Sequence, residues 1–316
     1  MRDISIIICT RNRAASLAQT LASLGDVRIP PGRSSEIIVV DNGSSDETAD
    51  VVRQARVRNA QVKYILEARP GQARARNRGI AEAAGDVIVF TDDDVTPARD
   101  WVERITAPIL SGSADAVAGC VRIAPNLERP WMTEMHRSWV ADTGTLDPAN
   151  PGRMVGANMA FSRSILDRVP AFDEDLGPGA IGYGDDTLFS QQLKAAGCRL
   201  AAAFDAIVEH QFSEERLSAE SWVRSAKALG QVDAYISHHW DHAVWPHPRW
   251  SLGTAFLQLL HKNLMALIQR SQSPAPESLL TAIRNFHAQL FYLGERRKPR
   301  YYALHGLVKL PQVKTS

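Results

Sequence analysis

Three consecutive aspartates, Asp92, Asp93 and Asp94, close the strand-like run Val87 to Thr91. Carboxylates crowded at the end of a strand repel one another unless a cation offsets them. Oxygen ligands favour Mg2+ or Mn2+, hard ions that keep positions open for phosphate oxygens. The same triplet also suits a solvated acidic turn capping the helix expected from Trp101. A second acidic pair, Asp185-Asp186, follows the glycine-rich stretch Gly177 to Gly184 and opens a helical pattern. Acidic residues fit a first helical turn on electrostatic grounds alone. A glycine-rich approach equally lets a substrate come close to a carboxylate acting as general base. His210 ends an apolar run and is either a hydrogen-bonded structural residue or a metal ligand.

Donors and positive charge gather elsewhere. Thr10-Arg11-Asn12-Arg13 follows the first apolar run, and Arg69, Arg74, Arg76 and Arg78 precede and enter a later helical pattern. Such groups bind anions, although Arg74 and Arg78, four residues apart, read as an exposed helical stripe. Trp131, Met132, Met135 and Trp139 lie in an irregular stretch, Pro125 to Gly152, that is rich in Pro, Trp and Met. Aromatic faces stack on sugar rings and on lipids, and they cover sheet edges as core residues just as well.

These groups must be positioned by a scaffold, and its elements are legible. Ile4 to Cys9, Glu36 to Val40, Val62 to Ile65 and Val87 to Thr91 are β-branched runs separated by segments of helical period, an order that predicts βαβ units and a mostly parallel sheet. Ligands then bind at the C-terminal ends of the strands. Ser44 and Glu47 have capping-box spacing ahead of Val51-Val52, which puts Asp41 at a strand end and the next residues in a loop. A helix is predicted from Gln72 to Ala84, another from Asp185 to Ala196 closed by Gly197, and strands at Ala116 to Val121, Val155 to Ser162 and Ala201 to Glu209. Past Ser213 the strand signals stop. A helical C-terminal appendage is expected from there, broken at Ser271 to Pro276.

The balance of 36 Lys+Arg against 35 Asp+Glu, with 45% apolar residues in 316, excludes disorder, collagen and coiled coil and removes any bulk attraction to nucleic acid. Cys9, Cys120 and Cys198 are odd in number and form no CxxC pair, so free thiols in a reducing compartment, the cytoplasm, are expected. Met1 to Thr10 is too short for a signal-peptide core. Leu252 to Ile268 is interrupted by Gln258, His261, Lys262 and Asn263 and reads as amphipathic, not spanning. With Leu252, Phe256, Leu260, Leu264 and Leu267 on one face, and Arg296, Arg297, Lys298 and Arg300 clustered further on, the C-terminal part is expected to meet the inner membrane face peripherally, the catalytic domain, or a second copy.

The ordered set resembles the inverting glycosyltransferases of family 2, which have the GT-A fold. The likeness rests on Ile6 to Arg13, on Ile37-Ile38-Val39-Val40-Asp41-Asn42-Gly43-Ser44-Ser45-Asp46, on Pro70 to Gly79, on the DxD-like Asp92 to Asp94 and on Gly184-Asp185-Asp186, where Asp185 replaces the usual Glu. It implies a catalytic domain over residues 1–212, with a nucleotide-sugar half (1–115) and an acceptor and catalytic-base half (116–212), followed by the appendage, 213–316. It also implies that Thr10, Arg11, Asp41 and Arg69 hold the nucleoside of a UDP-, GDP- or dTDP-sugar, that Asp92 and Asp93 meet the donor, and that Asp94 with His210 holds Mg2+ or Mn2+. Asp186 becomes the catalytic base. Trp131, Trp139 and Asp185 become acceptor candidates, for a glycan, lipid-linked or small-molecule acceptor in polysaccharide, glycolipid or glycoconjugate biosynthesis. Two other readings stay open. A sugar nucleotidyltransferase is expected to carry a glycine-rich phosphate loop after the first strand, and Cys9 to Arg13 has no glycine. A non-catalytic carbohydrate- or nucleotide-binding protein of the same fold is the other.

Overall fold

In the computed structural model, which describes residues 3–58, 60–268 and 273–311, the β-branched runs form the strands expected of them. β1 (Ile4–Thr10), β2 (Ser35–Asp41), β3 (Ala60–Leu66) and β4 (Val87–Asp92) pair in parallel in the spatial order β3-β2-β1-β4. The sheet continues through β7 (Asn158–Ser162), β6 (Ala116–Ile123), β8 (Leu200–His210) and the short β5 (Val95–Pro97). The β4/β7, β6/β7 and β5/β8 pairs are antiparallel, so the sheet is mostly parallel with antiparallel joints in its second half.

Both faces are covered, which is why the central strands read as unbroken apolar runs. Ile6, Ile8, Val39 and Val89 pack on Leu17 and Leu21 of α1 (Ala14–Leu24), Val52 of α2 (Thr48–Gln54), and Trp101, Val102 and Ile105 of α4 (Trp101–Leu110). On the other side lie α3 (Gln72–Glu82) and a ring cluster in which Phe161 and Phe172 stand 5.4 and 4.3 Å from Phe189 of α6 (Asp185–Ala195). Full burial of each such side chain contributes roughly 1.5–3 kcal/mol.

β8 carries an irregularity. Gly119 pairs with Ala203 but Cys120 pairs with Ile207, so Phe204, Asp205 and Ala206 bulge out of the ladder. Buried Asn158 stitches the gap, its amide donating to the carbonyls of Cys120 and Ala206 at 2.8 Å each while accepting from Trp101 Nε1. Gly119 makes room, since a Cβ there would stand 2.3 Å from the Asn158 amide.

Two expectations are corrected. The Ser44/Glu47 capping box does not form: α2 starts at Thr48, whose N–H and hydroxyl donate to Asp46, while Ser44 Oγ accepts from Asn12 N–H. The irregular Pro125 to Gly152 stretch contains a short helix, α5 (Glu134–Trp139). The predicted break at Ser271 to Pro276 falls partly outside the described residues.

The chain divides into two compact units. The first comprises Met1–Glu128, Val140–Glu174 and Asp185–Phe212 and holds the sheet. The second comprises Arg129–Trp139, Asp175–Gly184 and Ser213–Ser316. In it α7 (Ala219–His239) and α9 (Glu277–Glu295) pack together, tied by Arg284 donating twice to Asp233, and α8 (Pro248–Ile268) packs on α9.

Candidate active site

The parallel register places the candidate residues side by side: Thr10 faces Asp41 across β1/β2, and Cys9 faces Asp92 across β1/β4. Asp41 is 2% exposed and accepts from Ser44 N–H and from the Tyr64 hydroxyl, both at 2.8 Å. Asn42 beside it braces the loop after β3, donating to the carbonyls of Glu67 and Arg69 and accepting from Gly71 N–H. Arg69 itself is exposed and paired with Glu67 at 3.0 Å, and Arg11 is exposed. These groups line one end of the sheet.

The acidic triplet sits on the turn between β4 and β5, and α1 fixes that turn. Ser16 Oγ donates to the Asp93 carbonyl, and the Thr20 hydroxyl bridges the N–H and the carbonyl of Val95. Asp93 accepts from Thr10 Oγ1 at 2.6 Å, and Arg13 Nη1 lies 3.0 Å from Asp93 and 2.6 Å from Asp94. Burial pushes the Asp93 carboxyl up to about 6, against the pull of Arg13. Burial, and then the charge of Asp94, also raise Asp92. Asp93 is held by Thr10 and Arg13, and Asp94, which shares Arg13 with it, stands with Asp92 at the turn.

The last residue of β8 completes that pair. Donor atoms of Asp92, Asp94 and His210 all lie within 4.8 Å of one another. His210 is 2% exposed, and its Nδ1 stands 2.9 Å from the Val140 carbonyl, which can only accept. With the proton on Nδ1, the Nε2 lone pair turns toward Asp94 Oδ1, 3.2 Å away. Two acceptors at that separation suit a cation between them, and a carbonyl fixing the far nitrogen is the usual support of a metal-bound imidazole. Two carboxylates and one imidazole fit Mg2+ or, better, Mn2+.

At the N-terminus of α6 the two aspartates diverge. Asp185 is 4% exposed and accepts from the equally buried Arg76 of α3. Burial pushes its carboxyl up, and Arg76 opposes the shift. Asp186 is half-buried, with Oδ2 accepting from Gly156 N–H at 2.9 Å. Arg76 feels Asp185, Asp186 and Asp92 together, so one guanidinium serves both acidic sets. It lies in a slot beside Gly156, where a Cβ would come within 1.8 Å of Nη2.

Arg13 and Arg76 carry roles that spacing alone did not assign. A signal existed for Arg76: Ala73 and Ile80, three residues before and four after, are buried on the same helical face. Arg78 behaves as the exposed-stripe reading expects, pairing with Glu82 one turn on, whereas half-buried Arg74 departs from it and pairs with the distant Glu174.

In the second unit, Trp131 and Trp139 belong to an aromatic cluster around Trp222, at centroid distances of 6.2 and 6.4 Å. His136 joins edge-on, accepting from Thr133 N–H at Nδ1 and therefore donating from Nε2 to the Ala275 carbonyl. Trp139 is buried and Trp131 half-buried.

A mostly parallel sheet flanked by helices, with further helices C-terminal to it, is the GT-A fold, and solved structures share it. A mannosyltransferase from Pyrobaculum calidifontis, determined with GDP-Man and Mn2+, superposes with a TM-score of 0.64 at 19% identity, over 94% of this chain and 88% of its own. The Glycosyl transferase family 2 model matches residues 5–169, and the chain belongs to that family. Relatives include the glycosyltransferase AglE of Haloferax volcanii, 26% identical over 73% of this chain and 78% of AglE. The succinoglycan biosynthesis protein ExoM of Rhizobium meliloti is 28% identical over 74% of this chain and 76% of its own length.

Proposed function

We propose that the chain transfers a sugar from a nucleotide-sugar donor to an acceptor hydroxyl with inversion, using Asp186 as general base. The division of labour between the two aspartates of α6 carries this reading. Asp185 is held by Arg76, whereas Asp186 is half-buried and keeps a carboxylate for a proton. Asp186 takes the proton of the acceptor hydroxyl as that oxygen bonds to the anomeric carbon and the bond to the diphosphate breaks, a contribution of about 10² to 10⁴ in rate. A single displacement inverts the centre.

Thr10, Arg11, Asp41 and Arg69 hold the nucleoside, Asp92 meets the ribose side of the donor, and Asp93 holds Thr10 and Arg13 in place. A Mg2+ or Mn2+ bound by Asp92, Asp94 and His210 would stabilise the charge of the departing diphosphate. The mannosyltransferase named above was determined with GDP-Man and Mn2+, which supports both the donor class and the metal. Trp131, half-exposed, is the better acceptor contact. Trp139 and Asp185 act through packing and positioning. The products expected are polysaccharide, glycolipid or glycoconjugate, and the three free thiols support a cytoplasmic setting.

Release of nucleoside diphosphate from a panel of UDP-, GDP- and dTDP-sugars, with Mn2+ or with chelator, tests the reading. Asp186→Asn should lose transfer by about 10² or more yet retain calorimetric binding of the nucleoside diphosphate, whereas Asp94→Ala should lose that binding. Equal loss of binding in both variants overturns the assigned roles. Pyrophosphate release from a nucleoside triphosphate and a sugar phosphate would favour the nucleotidyltransferase instead.

A further inference from the structure

α8 meets α9 through a mostly polar side, on which Ala255 is buried beside Ser251, Thr254 and Gln258. On the other side Trp250, Leu257, Leu260, Leu264, Leu267 and Ile268 are between 51% and 83% exposed. At 100° per residue these six fall within an arc of about 100°, and they run about 27 Å along the helix. Water-facing helices carry polar residues in such positions, and apolar ridges of this extent mark interaction surfaces.

Charge identifies what the ridge meets. Pro248–Ile268 contains Arg249, His261 and Lys262 and no Asp or Glu. Tyr292, near the end of α9, stacks on Trp245 just before α8 at 4.4 Å, which brings Arg296 and Arg297 to the same end of the helix pair as Arg249 and Trp250. All three arginines are exposed, and none forms an ion pair among the described residues. The neighbouring cations are already engaged: Lys298 pairs with Glu295 at 2.7 Å, and Arg300 donates to the His238 carbonyl. A second copy of the ridge would offer these arginines no carboxylate, because α8 has none. A surface of anionic headgroups supplies both an apolar boundary for the leucines and counter-charge for the arginines, and a tryptophan at the helix end suits that boundary.

We propose that the α8 ridge, with Arg249, Arg296 and Arg297 at one end, docks the protein on an anionic lipid surface. The helix lies in the headgroup boundary and does not cross it: no helix among the described residues is long and apolar enough to span a bilayer. This docking stands on α8 and α9 alone and is independent of the chemistry assigned to the sheet.

Co-sedimentation of the full chain with phosphatidylcholine vesicles, with and without about 30% phosphatidylglycerol, reads the docking directly. Binding to the anionic vesicles should exceed binding to the neutral ones by about tenfold or more at low salt. Arg249→Gln/Arg296→Gln/Arg297→Gln should abolish that preference, and Leu257→Ser/Leu264→Ser should cut binding to both vesicle types by about tenfold. Far-UV circular dichroism and Tm should stay unchanged in both sets, which shows that they fold. Absence of vesicle binding overturns the proposal, as does binding indifferent to the arginines. A dimer by sedimentation equilibrium that Leu257→Ser/Leu264→Ser dissolves, without vesicle binding, would assign the ridge to a second copy.

Discussion

Arg76 of α3 donates to the carboxylate of Asp185 at the start of α6, and both side chains are 5% exposed. Removing one partner strands the other as a buried charge. Arg76→Met and Asp185→Leu should each lower unfolding stability by about 3–5 kcal/mol, and the double variant by much less than the sum. Urea unfolding of the four proteins measures the coupling; strictly additive losses would show that the pair contributes nothing of its own.

Gly156 touches both acidic systems. Its N–H donates to Asp186, and a methyl group there would intrude on Arg76. Gly156→Ala should cost about 1–3 kcal/mol in stability through overpacking and should reduce sugar transfer further, because the carboxylate of Asp186 loses its setting. Comparing the loss of kcat at a temperature well below the variant's Tm with the Tm itself separates the two effects.

Cys9 offers a pH test. Burial pushes its thiol up to about 12, well above the ordinary value, so the folded protein holds the proton that the unfolded chain releases. Between the unfolded pKa of about 8.5 and the folded value, stability should therefore fall by about 1.4 kcal/mol per pH unit on account of this group. Cys9→Ala should show a shallower decline, measured by chemical unfolding from pH 8 to 10. Native Cys9 should also resist alkylation near pH 8, with a thiolate fraction about 10³ below that of the unfolded chain.

The aromatic cluster separates packing from recognition. Trp222 is 1% exposed at its centre, and Trp222→Ala should cost about 3–5 kcal/mol. Trp131, at its half-exposed margin, should cost far less when changed to Ala and should raise the acceptor KM while donor hydrolysis persists. A Trp131→Ala protein that melts like the Trp222 variant would make Trp131 a core residue.

Much of this site is local in sequence, and that part was legible. Thr10, Asp41 and Asp92 each end an apolar run, and a parallel sheet must align the ends of its strands. The helix at Asp185 and the strand before His210 were visible for the same reason, since period and breakers are short-range signals. Arg13, Arg76 and Asn158 were not. Their partners stand 81, 109 and 38 residues away respectively, at Asp94, Asp185 and Cys120, and no periodicity encodes such a distance. The α5 helix was hidden because its six residues are too few to show a repeat. The capping box failed because Ser44 found a stronger claim in Asn12, across the loop from another strand.

The three surplus residues of β8, Phe204 to Ala206, set which face each later side chain of the strand takes. An odd number of unpaired residues reverses which side of a strand each later side chain takes. The strand resumes with Val208 and His210 buried and with His210 opposite Val95. Where the deletion of one of the three is taken up by the ladder after the bulge and not by the bulge itself, the strand is drawn back by one place and Gln211 stands where the imidazole does. An amide there still accepts, but without a ring nitrogen's affinity for a divalent ion. In that register a single codon takes His210 out of the candidate cluster of Asp92, Asp94 and His210.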